Sequence, residues 1–282
     1  MEQKTPREHV MAGAKSGLMA GKRGLVMGVA NDHSIAWGIA QTLARHGAEI
    51  AFTYQGEAQK KRLVPLAQSI GSSIMLPGDV ESDEQLDAAF AVLKKEWGAL
   101  DFLVHAIAYS DKDALKGRYV DTTAENFAMS LNISCYSFTA LCRRAEPLMQ
   151  NGGSLLTLTY YGAEKAVPHY NVMGVAKAAL EASVRYLAVD LGGKGIRVNA
   201  ISAGPVKTLA AAGGISGFHY LMKWNELNAP LKRNVSIDEV GGAALMLLSD
   251  LGSAVTGEVL HVDCGYHVVG MKAVDAPDIA TA

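Results

Sequence analysis

The segment "YYGAEKAVPHYNVMGVAK" (160–177) carries Tyr160, Tyr161 and Tyr170 and closes on Lys177. A phenol set near an ammonium is proton chemistry: the cation favours the phenolate, and the phenol can donate to a developing oxyanion. On a helix the closest such pairing is four residues apart, but that position before the lysine is Met173. Tyr170 stands seven before Lys177 instead. Seven residues return to nearly the same helical face, displaced roughly 10 Å along the axis. Tyr170 and Lys177 can therefore address one cleft, with the phenol about one turn, roughly 5 Å, further out than usual. Tyr160 and Tyr161 end an apolar run, and strand alternation sends one into a cleft and the other to the opposite face. Amphipathic packing is the ordinary alternative for all three tyrosines.

The elements that must position these groups read as alternating β and α. "GLVMGVA" (24–30), "EIAFTY" (49–54), "SIMLPGD" (73–79), "DFLVHAIA" (101–108), "GSLLTLTYY" (153–161), "IRVNAISAG" (196–204) and "EVLHVDCG" (258–265) are strands. Helices are expected after Ser34 with a stop at Gly47, after the capping boxes Ser82-x-x-Gln85, Thr122-x-x-Glu125 and Ser236-x-x-Glu239, and over about 170–190. The stretch from Thr122 towards Met149 reads as one long helix. Continuous apolar strands alternating with helices imply an α/β fold: a single-domain, Rossmann-type, doubly wound sheet of about seven parallel strands with helices on both faces. Its ligand crevice lies at the carboxyl ends of the strands.

The first β–α turn, "GVANDHSIAWGIA" (28–40), occupies the pyrophosphate position of such folds but keeps only Gly28 and Gly38 of the glycine pattern. Read functionally, Ser34 supplies a hydroxyl and an N–H to phosphate, and Gly38 lets the helix approach the sheet; the alternative is a plain turn with a serine cap. After the second strand stands Gln55, neutral and able to bind either ribose hydroxyl, so NADH is favoured and NADPH stays open. Lys60, Lys61 and Arg62 fall on a solvated helix face. Asp79 and Val80 can meet an adenine, or simply start a turn. Ile107 can pack against a nicotinamide, with Lys177 holding the ribose next to it. His105 reads as a buried, hydrogen-bonded histidine, and no histidine or cysteine spacing suits a metal.

The 282 residues are 49% hydrophobic and 19% charged, with a net charge of −2, which argues for a soluble globular protein and against nucleic-acid binding. Cys135, Cys142 and Cys264 are scattered and read as free thiols of a reducing cytoplasm. Residues 1–17 lack an apolar core and read as a flexible extension, not a secretory signal. No apolar run is long enough for membrane insertion. No linker or repeat divides residues 18–270, and 271–282 form a tail.

Taken together, "GVANDHSIAWGIA", "FTYQGE", "HAIA", "LTYYGAEKAVPHYNVMGVAKAALEASVRYLAVDLG", "IRVNAISAGPVKTLAA" and "GEVLHVDCG" resemble bacterial enoyl-acyl-carrier-protein reductases, divergent short-chain dehydrogenases, over about residues 18–270. The resemblance implies NADH-dependent reduction of a trans-2-enoyl thioester in the fatty-acid elongation cycle. Tyr170 matches the donor to the enolate oxygen, Lys177 the ribose-binding lysine, and Tyr160 the second active-site tyrosine. Gly28, Ser34, Ile35, Gln55, Asp79, Val80, Ile107, Val206 and Thr208 match cofactor contacts. The long spacing fits this chemistry, because the oxygen to be stabilised is two bonds from the carbon that receives hydride.

Residues 206–228 then read as a lid over the acyl chain, with hinges at Gly213, Gly214 and Gly217 and contacts from Phe218 and Leu221; a surface helix is the alternative. Ala108, where the family often has glycine, and Ser110 border the substrate. Thr159 stands where a serine is common. The resemblance also implies a homotetramer and docking of acyl carrier protein, for which Lys207, Lys223, Lys232 and Arg233 are candidate contacts or merely solvated cations. Competing readings are a carbonyl-reducing short-chain dehydrogenase, against which Met173 speaks, and a catalytically silent dinucleotide sensor, against which the intact Tyr170–Lys177 pair speaks.

Overall fold

Seven apolar runs become seven parallel strands in the computed structural model, which describes residues 17–208 and 217–277. They are β1 (Arg23–Met27), β2 (Glu49–Tyr54), β3 (Met75–Pro77), β4 (Phe102–His105), β5 (Gly153–Thr159), β6 (Ile196–Ala203) and β7 (Val259–Val262), in the order β3-β2-β1-β4-β5-β6-β7. Residues 1–16 of the expected extension, 209–216 of the expected lid and 278–282 of the tail lie outside the described residues.

Alternate strand residues feed opposite faces. Val26 and Leu156 join Trp37, Phe52 and Leu43 in one core, under α1 (Ile35–Arg45) and α2 (Glu57–Ser69). Leu25, Met27 and Leu155 join Phe90, Phe138 and Leu180 in the other, under α3 (Asp83–Trp97), α5 (Ser137–Ala145) and α6 (Asn171–Gly192). Burial on both faces is why the central strands show no polar alternation. The order reverses at β1, whose neighbours are β2 and β4, so the carboxyl ends of β1 and β4 part and open a crevice.

β2 ends at Tyr54 as expected, but the other strands stop short of their expected ends. Residues 28–30, 106–108 and Tyr160 leave the ladder as loops at this edge, and Tyr161 opens a 3-10 turn (Tyr161–Ala163), where the walls of a crevice are needed. The expected helix after Thr122 is four pieces: α4 (Ala124–Leu131), a π turn (Asn132–Tyr136), α5 and a 3-10 turn (Glu146–Leu148). Its cap is Thr123, which accepts from the Asn126 N–H, because Thr122 donates to Tyr119 O at 2.7 Å in the preceding turn. At Ser82 only half of the capping box forms, since the Gln85 amide oxygen takes the Asp79 N–H instead. At Ser236 both halves form, opening α8 (Ile237–Leu248). Gly38 serves a different approach from the one expected. A Cβ there would stand 2.5 Å from Ile237 O, and one at Gly241 2.7 Å from Gly38 O, so α1 crosses α8 backbone to backbone and not the sheet.

Candidate active site

A cavity of about 500 Å³ fills the crevice. Its floor begins at Gly28, whose φ of +97° and lack of a side chain let the first loop close on Ala106 O, where a Cβ would overlap that oxygen. Ser34 then organises the loop. Its hydroxyl accepts the N–H groups of Ala30 and Asn31 at 3.0 Å each and donates to Asn31 Oδ1 at 3.2 Å, while its own N–H donates to Asn31 O. The hydroxyl and N–H expected to face phosphate are thus taken up within the loop, and no side-chain cap forms on α1. The N–H groups that α1 leaves for an anion are those of its first turn, at Ile35 and Ala36, which line the cavity.

Gln55, Asp79 and Val80 are not among the residues that line this cavity; they follow the ends of β2 and β3. Gln55 Nε2 donates to Asp79 Oδ2 at 3.0 Å, and Asp79 Oδ1 accepts the Glu81 N–H at 3.0 Å, so the two polar candidates are tied to each other. Val80 packs on the α3 side of the core. Arg62 is exposed, as expected, and also donates to Ala30 O at 2.9 Å, tying α2 to the first loop. Lys60 lies 5.3 Å over the Tyr54 ring and pairs with Glu57.

Beyond β4, Ile107 and Ala108 line the cavity and Ser110 is buried, accepting from Ser130 Oγ at 2.9 Å. Behind them His105 is fully buried between Thr157 Oγ1 and Ser137 Oγ, each at 2.8 Å. Ser137 donates its hydroxyl proton to Ile133 O, so the proton shared with His105 sits on Nε2. Burial, aided by Lys177, pushes the imidazole down to about 3, so His105 is a neutral structural group.

The tyrosines separate as strand alternation requires. Tyr161 turns away, donating to His267 O at 3.4 Å and packing edge-on against Tyr266. Tyr160 faces the cavity, and burial, with Tyr266 and Asp263 nearby, pushes its phenol up to about 12. Tyr170 meets Tyr160 edge to face, with ring centroids 5.0 Å apart. It sits at the N-cap of α6, which starts at Asn171, one residue later than expected, and lies between His169 and Asn171 at φ of 60° and 40°. Two glycines make room for it. A Cβ at Gly162 would overlap the Tyr170 ring, and one at Gly174 would stand 2.7 Å from Gly162 O. The Tyr170 hydroxyl has no hydrogen-bond partner among the described residues, and burial drives its pKa far up. It is therefore a protonated donor, not a phenolate.

Lys177 is buried, and Nζ donates to Leu158 O at 2.7 Å, leaving donors that face the cavity. Burial lowers its pKa to about 8 against the opposing pull of Cys135 and Glu181. Val206, Thr208, Phe218 and Leu221 supply the far wall, the last two from α7 (Phe218–Asn228). Of the expected basic contacts, three are engaged within the chain. Lys223 pairs with Glu226, Arg233 grips Glu239 at 2.6 and 2.9 Å, and Lys232 donates to Leu227 O. Lys207 is exposed. Among the described residues no group of histidines, cysteines and carboxylates is set to hold a metal. The three cysteines are free and buried.

Reasoning from sequence did not single out Gly162, Gly174, Arg62 or Glu181 as site residues. Glu181 had a signal, since it stands four residues after Lys177 on the same helix.

The family model described as "Enoyl-(Acyl carrier protein) reductase" matches residues 28–267. The chain is 68% identical over 265 residues to "Enoyl-[acyl-carrier-protein] reductase [NADH] 1" of Rhizobium meliloti (strain 1021), covering 94% of this chain and 97% of that one. The crystal structure of the enoyl-(acyl-carrier-protein) reductase of Anaplasma phagocytophilum in complex with NAD superposes with a TM-score of 0.89 at 63% identity, covering 95% of this chain and all of that one. The Bacillus cereus enoyl-acyl carrier protein reductase with NADP+ and an indole naphthyridinone gives a TM-score of 0.88 at 50% identity, covering 90% and 99%.

Proposed function

The chain belongs to the enoyl-(acyl carrier protein) reductase family, and from that premise we propose how its own residues carry the reaction. It is an NADH-dependent enoyl-[acyl-carrier-protein] reductase of fatty-acid synthesis, saturating the trans-2 double bond of an acyl thioester. The crevice suits the dinucleotide: the bare Gly28 backbone, the first-turn N–H groups of α1 and the unspent donors of Lys177 all open on it. NADH, when bound, supplies the hydride. Ile35, Ile107, Val206 and Thr208 line its nicotinamide and phosphate end, and Gln55, Asp79 and Val80 its adenosine end. Lys177 holds the ribose through the donors that Leu158 O leaves free.

Hydride arriving at the β-carbon drives negative charge onto the thioester carbonyl oxygen. Tyr170 donates to that oxygen. A donor held in place beforehand, in a largely dry cleft, stabilises the enolate without reorganising. Tyr160 holds the Tyr170 ring by its edge and lines the substrate channel with Ala108 and Ser110. Phe218 and Leu221 contact the acyl chain. The Ala108 methyl narrows this channel.

One observation carries the assignment: a buried, protonated phenol, without a hydrogen-bond partner among the described residues, opens onto the same cavity as a buried ammonium. The test is NADH oxidation with crotonyl thioester against acetoacetyl thioester. Turnover of the first is expected, and turnover of the second alone would overturn the reading.

The enoyl chain arrives on acyl carrier protein, so a docking face beside α7 is needed; Lys207 is the basic residue there without a carboxylate partner among the described residues. Exposed Phe127, Tyr136, Tyr186 and Val189 on α4, the π turn and α6 favour burial against further copies, consistent with a homotetramer. Among the described residues no helix is long and apolar enough to cross a membrane, and a cytoplasmic location follows from the use of NADH and a carrier protein.

A further inference from the structure

Glu181 is 8% exposed, one turn beyond Lys177 on α6. Its Oε1 accepts the Thr159 hydroxyl at 2.7 Å, and Thr159 lines the cavity between Leu158 and Tyr160. Among the described residues no ion pair reaches either Glu181 or Lys177. A buried carboxyl group, whose pKa burial raises, and a buried amine thus lie one helical turn apart, each hydrogen-bonded to the same strand end: Lys177 to Leu158 O, Glu181 to Thr159. A buried carboxylate without a direct ion pair is costly, and a glutamine would satisfy Thr159 equally well. The hydrogen bond alone therefore does not account for the charge.

We propose that Glu181 is a positioning residue for cofactor binding: its carboxylate, fixed by Thr159, is the counter-charge that holds Lys177 in its ammonium form. The proposal rests on the reading that Lys177 binds the cofactor ribose. The groups facing Lys177 are His105 from β4, Cys135 from the π turn and Glu181 from its own helix. His105 is neutral, and Glu181 is the carboxyl group among them. Facing Glu181 are Thr159, Tyr170, Lys177, Arg185, Glu164 and His261, the last two paired at 2.7 Å towards the surface. An anion near a buried ammonium raises its pKa, so removing the charge moves Lys177 down from about 8.

The test is NADH binding, followed by fluorescence between pH 6 and 9, in the wild type, Glu181→Gln, Thr159→Ser and Thr159→Val, with calorimetry to verify folding. Wild-type affinity is expected to fall as pH rises through about 8. In Glu181→Gln the fall begins about one unit lower. The protonated fraction at pH 8 then drops from about one half to about one tenth, so binding weakens about fivefold there and is almost unchanged at pH 6. Thr159→Ser keeps the wild-type profile, and Thr159→Val moves towards that of Glu181→Gln. A wild-type decline that Glu181→Gln leaves in place overturns the role of Glu181 alone. A flat wild-type profile overturns the reading of Lys177 and, with it, this inference. Should Glu181→Gln not fold, the Thr159 pair decides: equal profiles for Ser and Val overturn the proposal.

Discussion

Gly162→Ala places one methyl group against the proposed oxyanion donor. The added Cβ would overlap Tyr170 Cδ1, stand 2.8 Å from Cε1 and approach Tyr160 Cδ1 to 3.4 Å. Ordinary carbon contacts are about 3.5–4.0 Å, so the Tyr170 ring must retreat by about 1 Å. It has little freedom to do so, because its other side packs on Leu115, Val172 and Met173. A misplacement of about 1 Å in a reacting geometry can cost about 100-fold in rate, or about 2.7 kcal/mol of barrier. The same overpacking should cost about 1–3 kcal/mol of stability. The nearest atoms to the added methyl belong to Tyr170 and Tyr160 and not to Lys177 or the Gly28 loop, so NADH affinity should stay within about twofold. The assay is kcat with crotonyl thioester, alongside NADH fluorescence and calorimetric Tm. In a cycle with Tyr170→Phe the two losses should not add, since the hydroxyl displaced by the first change is absent in the second. A folded Gly162→Ala enzyme with kcat within about threefold of wild type would refute the argument that this contact sets the donor, as would full additivity.

Tyr170→Phe by itself should lower kcat by about 10²–10³ and leave NADH affinity unchanged, because the hydroxyl it removes has no partner among the described residues. Its Tm should move little, as the edge contact with Tyr160 needs only the ring; retained turnover of enoyl thioesters would refute the role. His105 is held at about 3 when folded against 6.5 when free. The folded state therefore binds fewer protons, and the stability this contributes is full above about pH 6.5 and lost as pH falls towards 3. Urea unfolding at stepped pH should show that loss, and His105→Gln should flatten it; an unchanged acid slope in the variant would count against the assignment.

How much of this was legible beforehand follows from the range of each interaction. Strand periodicity, the Ser236 capping box and the alternation of Tyr160 and Tyr161 are local, so the linear chain carried them. The ends of β1, β4 and β5 were not legible, because a strand stops where its neighbour stops pairing, and that neighbour is distant in sequence. Ser34 looked like a cap because it precedes a helix; which N–H groups its hydroxyl meets depended on how the loop folded. Arg233 looked available until α8 brought Glu239 beside it.

The sequence by itself determined the doubly wound sheet, the crevice edge and the residue types that reach it, since apolar period and turn chemistry are properties of neighbours along the chain. The spacing of Tyr170 and Lys177 was also its own. The tertiary structure alone decided that the Tyr170 ring is buried against Gly162, that Lys177 donates to Leu158 O, and that Glu181 is buried on Thr159 one turn beyond it. Protonation and donor direction depend on desolvation and on partners from other strands, and those exist only once the chain has closed around them.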